Sequence, residues 1–118
     1  MEQPEFLEKH VFTNLKNLNE GFKEGSEYYF SESDFETVLQ RSEYFGIGIY
    51  NVEARLNGEL FENSNHETFK KKATNPAWYK KAFLTLTHRQ TGLSYTATYK
   101  VSNKLLARYS EEVQTEED

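Results

Sequence analysis

The sequence predicts a two-layer α+β domain: a small, mostly antiparallel sheet of about three strands, packed by helices on one face. Three observations point there. Tyr50, Val52, Ala54 and Leu56 alternate with Asn51, Glu53 and Arg55, and Leu93, Tyr95, Ala97, Tyr99 and Val101 alternate with Ser94, Thr96, Thr98 and Lys100. A period of two marks a strand buried on one side, whereas a strand buried on both sides is continuously apolar. Asn57-Gly58 follows the first alternation, and this pair suits a two-residue type I′ hairpin turn because both residues tolerate positive φ. Elsewhere the apolar residues recur at three- and four-residue spacing, the period of an amphipathic helix.

Taken in order, Leu7, Val11, Leu15, Leu18 and Phe22 form one stripe and predict a helix over 5–22, weakened at its end by Gly21 and Gly25. Residues 26–30 read as a linker or short extended piece. A second helix is expected from Ser33, which stands three residues before Glu36 in a capping-box pattern, with Asp34 at the positive end of the helix dipole. Phe35, Val38, Leu39 and Phe45 would be its buried face, and Gly46 its left-handed cap. The first strand then runs over 47–56, the hairpin turns at 57–58 and a strand returns over 59–62. Residues 63–74 are polar and read as a loop with a helical turn near Phe69. Asn75 and Pro76 open a third helix as N-cap and first residue, where the missing proline N–H costs nothing. Tyr79, Ala82, Phe83 and Leu86 are its inward stripe, with Trp78 beside them, and Gly92 ends it. The strand over 93–101 follows, and then a short helix from Asn103 with Leu105, Leu106 and Tyr109 inward.

At 118 residues the chain suits a single domain, expected over 1–113, with 114–118 as a flexible acidic tail. Leu, Ile, Val and Phe contribute 11, 2, 5 and 9 residues. Their share exceeds the roughly 20% below which chains stay disordered. With nine Phe, eight Tyr and one Trp, the core is expected to be built mainly of rings. The absence of Cys excludes disulfides and thiolate metal sites and suits a reducing compartment. MEQPEFLEKH has neither the basic nor the apolar region of a signal peptide, and no run approaches the roughly 20 apolar residues of a membrane span. The expectation is a soluble cytoplasmic protein with no membrane contact.

Charge is unevenly placed. Residues 1–68 hold 5 cations and 14 acids, a net of −9; residues 69–110 hold 9 cations and no acid; the remainder adds 5 acids and brings the total to −5. Either the two halves pair with one another, or an acidic face steers a basic partner.

FGIGIY, residues 45–50, contains Gly-x-Gly, yet it follows a helix and precedes a strand. Phosphate loops need the reverse order, because free N–H groups and a positive dipole sit at a helix N-terminus. These glycines are therefore read as a cap and as a close approach or bulge. His10, His66 and His88 show no metal-ligand spacing, no nucleophile motif is present, and no cofactor is expected. Phe69-Lys70-Lys71-Lys72 and Trp78-Tyr79-Lys80-Lys81 interleave rings with cations, as single-strand binders do. Helical spacing turns Tyr79 and Phe83 inward, and a net acidic chain repels phosphate backbones, so nucleic acid is disfavoured.

FGIGIYNVEA, NPAWYKKAF and SYTATYKV, together in a short acidic chain, resemble the small immunity proteins of bacterial polymorphic-toxin systems over roughly residues 30–101. The resemblance implies a non-enzymatic inhibitor that occludes a cognate toxin in the cytoplasm of the cell producing it, with no catalytic residue to carry over. From the residues themselves, Glu53, Glu59 and Glu62, with Asn51 between them and Tyr50 near, are the expected docking face for a basic partner. A small ligand-binding domain or enzyme with a pocket between sheet and helices, and a nucleic-acid-associated protein using 69–89, remain the alternatives.

Overall fold

The computed structural model of the chain describes residues 1–19 and 28–117. Among them lie helices α1 (Gln3–His10), α2 (Glu32–Phe45), α3 (Pro76–Arg89) and α4 (Asn103–Glu117), and strands β1 (Gly48–Leu56), β2 (Glu59–Asn65) and β3 (Ser94–Lys100). The strands form one antiparallel sheet in the order β2-β1-β3. This is the two-layer α+β arrangement expected from the sequence.

The first helix is shorter than its stripe suggests. α1 stops at His10, the chain turns, and Asn14 adopts a φ of 65°. Arg41 of α2 explains the stop: its guanidinium donates to the carbonyls of Val11 and Thr13 at 2.9 and 2.8 Å, which a continuing helix would have used itself. Phe6, Leu7, Val11 and Phe12 are still buried. Residues 20–22 of the expected helix, with Gly25, Ser26 and Glu27, lie outside the described residues.

α2 is capped two residues earlier than expected. Ser31, not Ser33, is the N-cap, and its hydroxyl accepts from the Asp34 N–H at 3.3 Å. Gly46 closes the helix with a φ of 70°, in the left-handed region that favours glycine. The Ile49 N–H then donates to the Ala73 carbonyl at 2.9 Å, so FGIGIY ends a helix and seats a strand against the 73–74 loop. α3 begins as expected, with the Asn75 side chain accepting from the Ala77 N–H at 2.9 Å and Pro76 in the first turn. α4 continues through Glu117, so the backbone of residues 114–117, expected as tail, is helical.

Asn57 and Gly58 have φ values of 55° and 84°, the two positive angles a type I′ turn requires. The returning strand extends to Asn65, three residues beyond its expected end. Two irregularities set what each strand shows. Ala54 faces Glu62 while Arg55 faces Leu60, which leaves Phe61 as an extra residue in β2. Ile49 faces Tyr99 while Asn51 faces Thr98, which leaves Tyr50 extra in β1.

The core is a cluster of rings between the sheet and helices α2 and α3. Phe35 stacks on Tyr95 at 5.3 Å and tilts against Phe83 at 5.6 Å, and Phe83 meets Tyr95 edge-on at 5.0 Å. Trp78 and Tyr79 are wholly buried, and Tyr99 packs on the same cluster. A second group joins the ends of the chain: Phe6 meets Phe45 and Tyr109 edge-on at 5.3 and 5.2 Å, tying α1 and α4 to the end of α2.

Candidate functional site

The five residues expected to form one docking face do not share one. On β1, Glu53 lies on the sheet face away from the ring core, opposite Asn63 and Thr96. There it is committed internally. Its Oε2 accepts from the Tyr29 hydroxyl at 2.6 Å and from Arg55 Nε at 2.7 Å, and Arg55 also donates to the Tyr29 oxygen at 3.1 Å and the Gly58 carbonyl at 3.0 Å. The Glu53 hydrogen bond holds the guanidinium above its ordinary range, while burial and that carboxylate raise the Tyr29 phenol. Reversing Glu53 would set a cation against Arg55, so this residue fastens the 28–30 segment to the sheet.

Glu62 faces the other way. Opposed to Ala54, it points to the helical side and pairs with Arg89 of α3, whose guanidinium also lies 5.3 Å from the centre of the Phe61 ring. Glu59 is exposed beside Leu56 on that same side. Asn51 joins Gln3, Thr96 and Thr98 around a polar hollow of about 340 Å³ on the outer face. Tyr50 is 40% exposed and lies 5.8 Å from His66.

The basic segment 69–89 turns its rings inward: Trp78 and Tyr79 have no exposed surface and Phe83 only 8%, while Lys70, Lys71, Lys72, Lys80 and Lys81 face water. A stacking platform for bases needs exposed rings, which this helix does not offer. The space between sheet and helices is filled by the rings described above, with a hollow of about 230 Å³ between β2 and α3 beside Glu62, Phe69 and Leu86. Among the described residues there is no cluster of three or more potential metal ligands, and no helix is long and apolar enough to cross a membrane.

A different surface gathers acids with exposed apolar groups. α2 and α3 run antiparallel, with Glu43 bonded to Lys80 at 2.5 Å at one end and Glu32 beside Thr87 at the other. Between them lies a groove of about 410 Å³ lined by Glu32, Glu36, Leu39, Gln40, Phe83 and Leu84, among others. Leu39 and Phe83 form its buried floor, and Leu84 stands 56% exposed on the rim. Glu32, Glu36 and Gln40 recur every four residues along one wall, and Tyr44, 83% exposed, is next in that series. Neither Glu32 nor Glu36 has an ion-pair partner among the described residues.

No protein-family profile, curated protein sequence or solved structure matches the chain. Sequence reasoning passed over Glu32, Glu36, Tyr44 and Leu84. One signal for them exists: Leu84 is apolar yet falls off the Tyr79, Ala82, Phe83 and Leu86 stripe, and the α2 acids repeat at helical spacing away from Phe35, Val38 and Leu39.

Proposed function

We propose that the chain is a non-enzymatic protein-binding module, an immunity protein that neutralises a cognate basic toxin by covering it in the cytoplasm of the cell that makes both. The observation that carries this reading is the groove between α2 and α3, where unpaired carboxylates border an apolar floor and an exposed leucine. Apolar anchors ringed by charge are what a specific interface uses: the anchors supply affinity, and the charges speed encounter and reject wrong partners. The acids elsewhere in the chain support it by contrast. Glu43, Glu53 and Glu62 are bound within the fold, whereas Glu32 and Glu36 stand exposed and, among the described residues, unpaired along the groove. The resemblance to toxin-immunity proteins supplies the kind of partner.

The reading is tested by capture from the native host with wild-type protein and with Glu36→Lys, followed by co-expression of the captured protein. The expected result is one stoichiometric basic protein that is lost with the variant and whose toxicity the wild type relieves. A captured nucleic acid or small molecule, or a partner that harms no cell, would overturn it.

A further inference from the structure

The proposed function leaves open which part of a partner enters the groove. The walls are two helices of 14 residues each, and the groove runs from Glu32 to Gln40 on one and from Lys80 to Thr87 on the other, about 12 Å at 1.5 Å per residue. A channel between antiparallel helices takes a third helix most readily, since ridges of side chains fit between the two rows already there. An extended strand has no open sheet edge here to bond with, because both walls already satisfy their backbone groups internally.

The chemistry along the channel is graded. At the Glu43 end, Lys80 neutralises the wall. Toward Glu36 and Glu32 the wall is uncompensated and Leu84 is outward. Beneath the floor, Phe83 packs edge-on against the Tyr95 ring at 5.0 Å, and the Tyr95 hydroxyl is fully buried, so the groove is closed below.

We propose that this groove seats an amphipathic helix of the partner. Its apolar stripe would lie on Leu39, Phe83 and Leu84, and its lysines or arginines would meet Glu32 and Glu36. The inference rests on the protein-binding reading and adds the element, its composition and its place.

The probe is a synthetic peptide of 14 residues, matching the walls in length, with leucines at helical spacing and lysines elsewhere. A second peptide carries glutamate in place of every lysine. Both are titrated into the full chain while backbone amide chemical shifts are followed. The expected result is that the lysine peptide perturbs Glu36, Leu39, Gln40, Phe83, Leu84 and Thr87, and that the glutamate peptide does not bind. Glu36→Lys and Leu84→Ala each weaken the lysine peptide about tenfold. Both replaced side chains are exposed, so the variants keep the fold, which the same spectra verify. Absence of shifts at the groove, shifts centred on the hairpin, equal binding of both peptides, or affinity indifferent to both variants would each overturn the inference. The two readings fail separately. A native partner that is not a toxin ends the toxin reading and leaves the peptide result standing, whereas a toxin that binds Glu36→Lys and Leu84→Ala undiminished removes the groove and keeps the toxin.

Discussion

Raising the pH should unfold this protein through its buried tyrosines. Five phenols are raised above the ordinary value of 10.0: Tyr28, Tyr29, Tyr79, Tyr95 and Tyr99. Burial is the leading cause in each. Glu43 adds to it at Tyr79 and Glu32 at Tyr95, and both of these phenols reach about 12. Unfolded, they would lose their protons near 10, so between about 10 and 12 the unfolded chain binds fewer protons than the folded one. Stability is therefore complete below pH 10 and falls as pH rises through that window. Two units amount to about 2.7 kcal/mol per group in full, or about half that with solvent screening allowed for at the groove side. Tyr79 and Tyr95 together then remove roughly 3–5 kcal/mol by pH 12, comparable with the whole stability of a domain this size. The assay follows tyrosinate absorbance and far-ultraviolet circular dichroism on the same samples. A block of tyrosines should ionise cooperatively, together with loss of helix signal above pH 10. Smooth ionisation of all eight tyrosines with the helix signal intact would refute the burial of these hydroxyls.

Phe83→Ala should lower stability by about 3–5 kcal/mol in urea denaturation, the usual cost of emptying a buried ring site; a loss below about 1 kcal/mol would mean that Phe83 does not pack against Phe35 and Tyr95. Gly46→Ala should cost about 1 kcal/mol because its φ is 70° although a Cβ there meets open space. Gly48→Ala should change stability by less than about 0.5 kcal/mol, since a Cβ there would meet Ala73, Thr74 and Lys100 at 3.5, 3.6 and 3.7 Å, ordinary contacts. Ser31→Ala should cost about 1 kcal/mol in the same assay, while Ser33→Ala should be nearly neutral; the opposite order would return the cap to Ser33.

The strands were legible because a half-buried strand writes its period into a few residues: Val52, Ala54, Tyr95 and Val101 are buried as the alternation requires. The start of α3 was equally plain, since Asn75 and Pro76 act within one turn. The extent of α1 was not, because the guanidinium that takes its carbonyls belongs to Arg41, some 30 residues away in sequence. The expected docking face failed for a similar reason. Counting back from Asn57-Gly58 without irregularity sets Glu62 opposite Glu53, but the extra residue at Phe61 moves Glu62 to the opposite face, and nothing in ELFENSN announces that bulge. The groove depends on how two helices lie together, which helical periodicity within either one does not contain.

Docking of a basic partner between α2 and α3 is tested most directly by calorimetric titration of the protein captured from the native host. Wild type is compared with Glu36→Lys combined with Leu84→Ala, and with Glu59→Lys as a charge reversal on the hairpin. The predicted result is saturable one-to-one binding by wild type and Glu59→Lys, weakened by at least about tenfold in the groove variant, with affinity falling as salt is added. Equal affinity of wild type and groove variant, or loss of binding with Glu59→Lys alone, would contradict it.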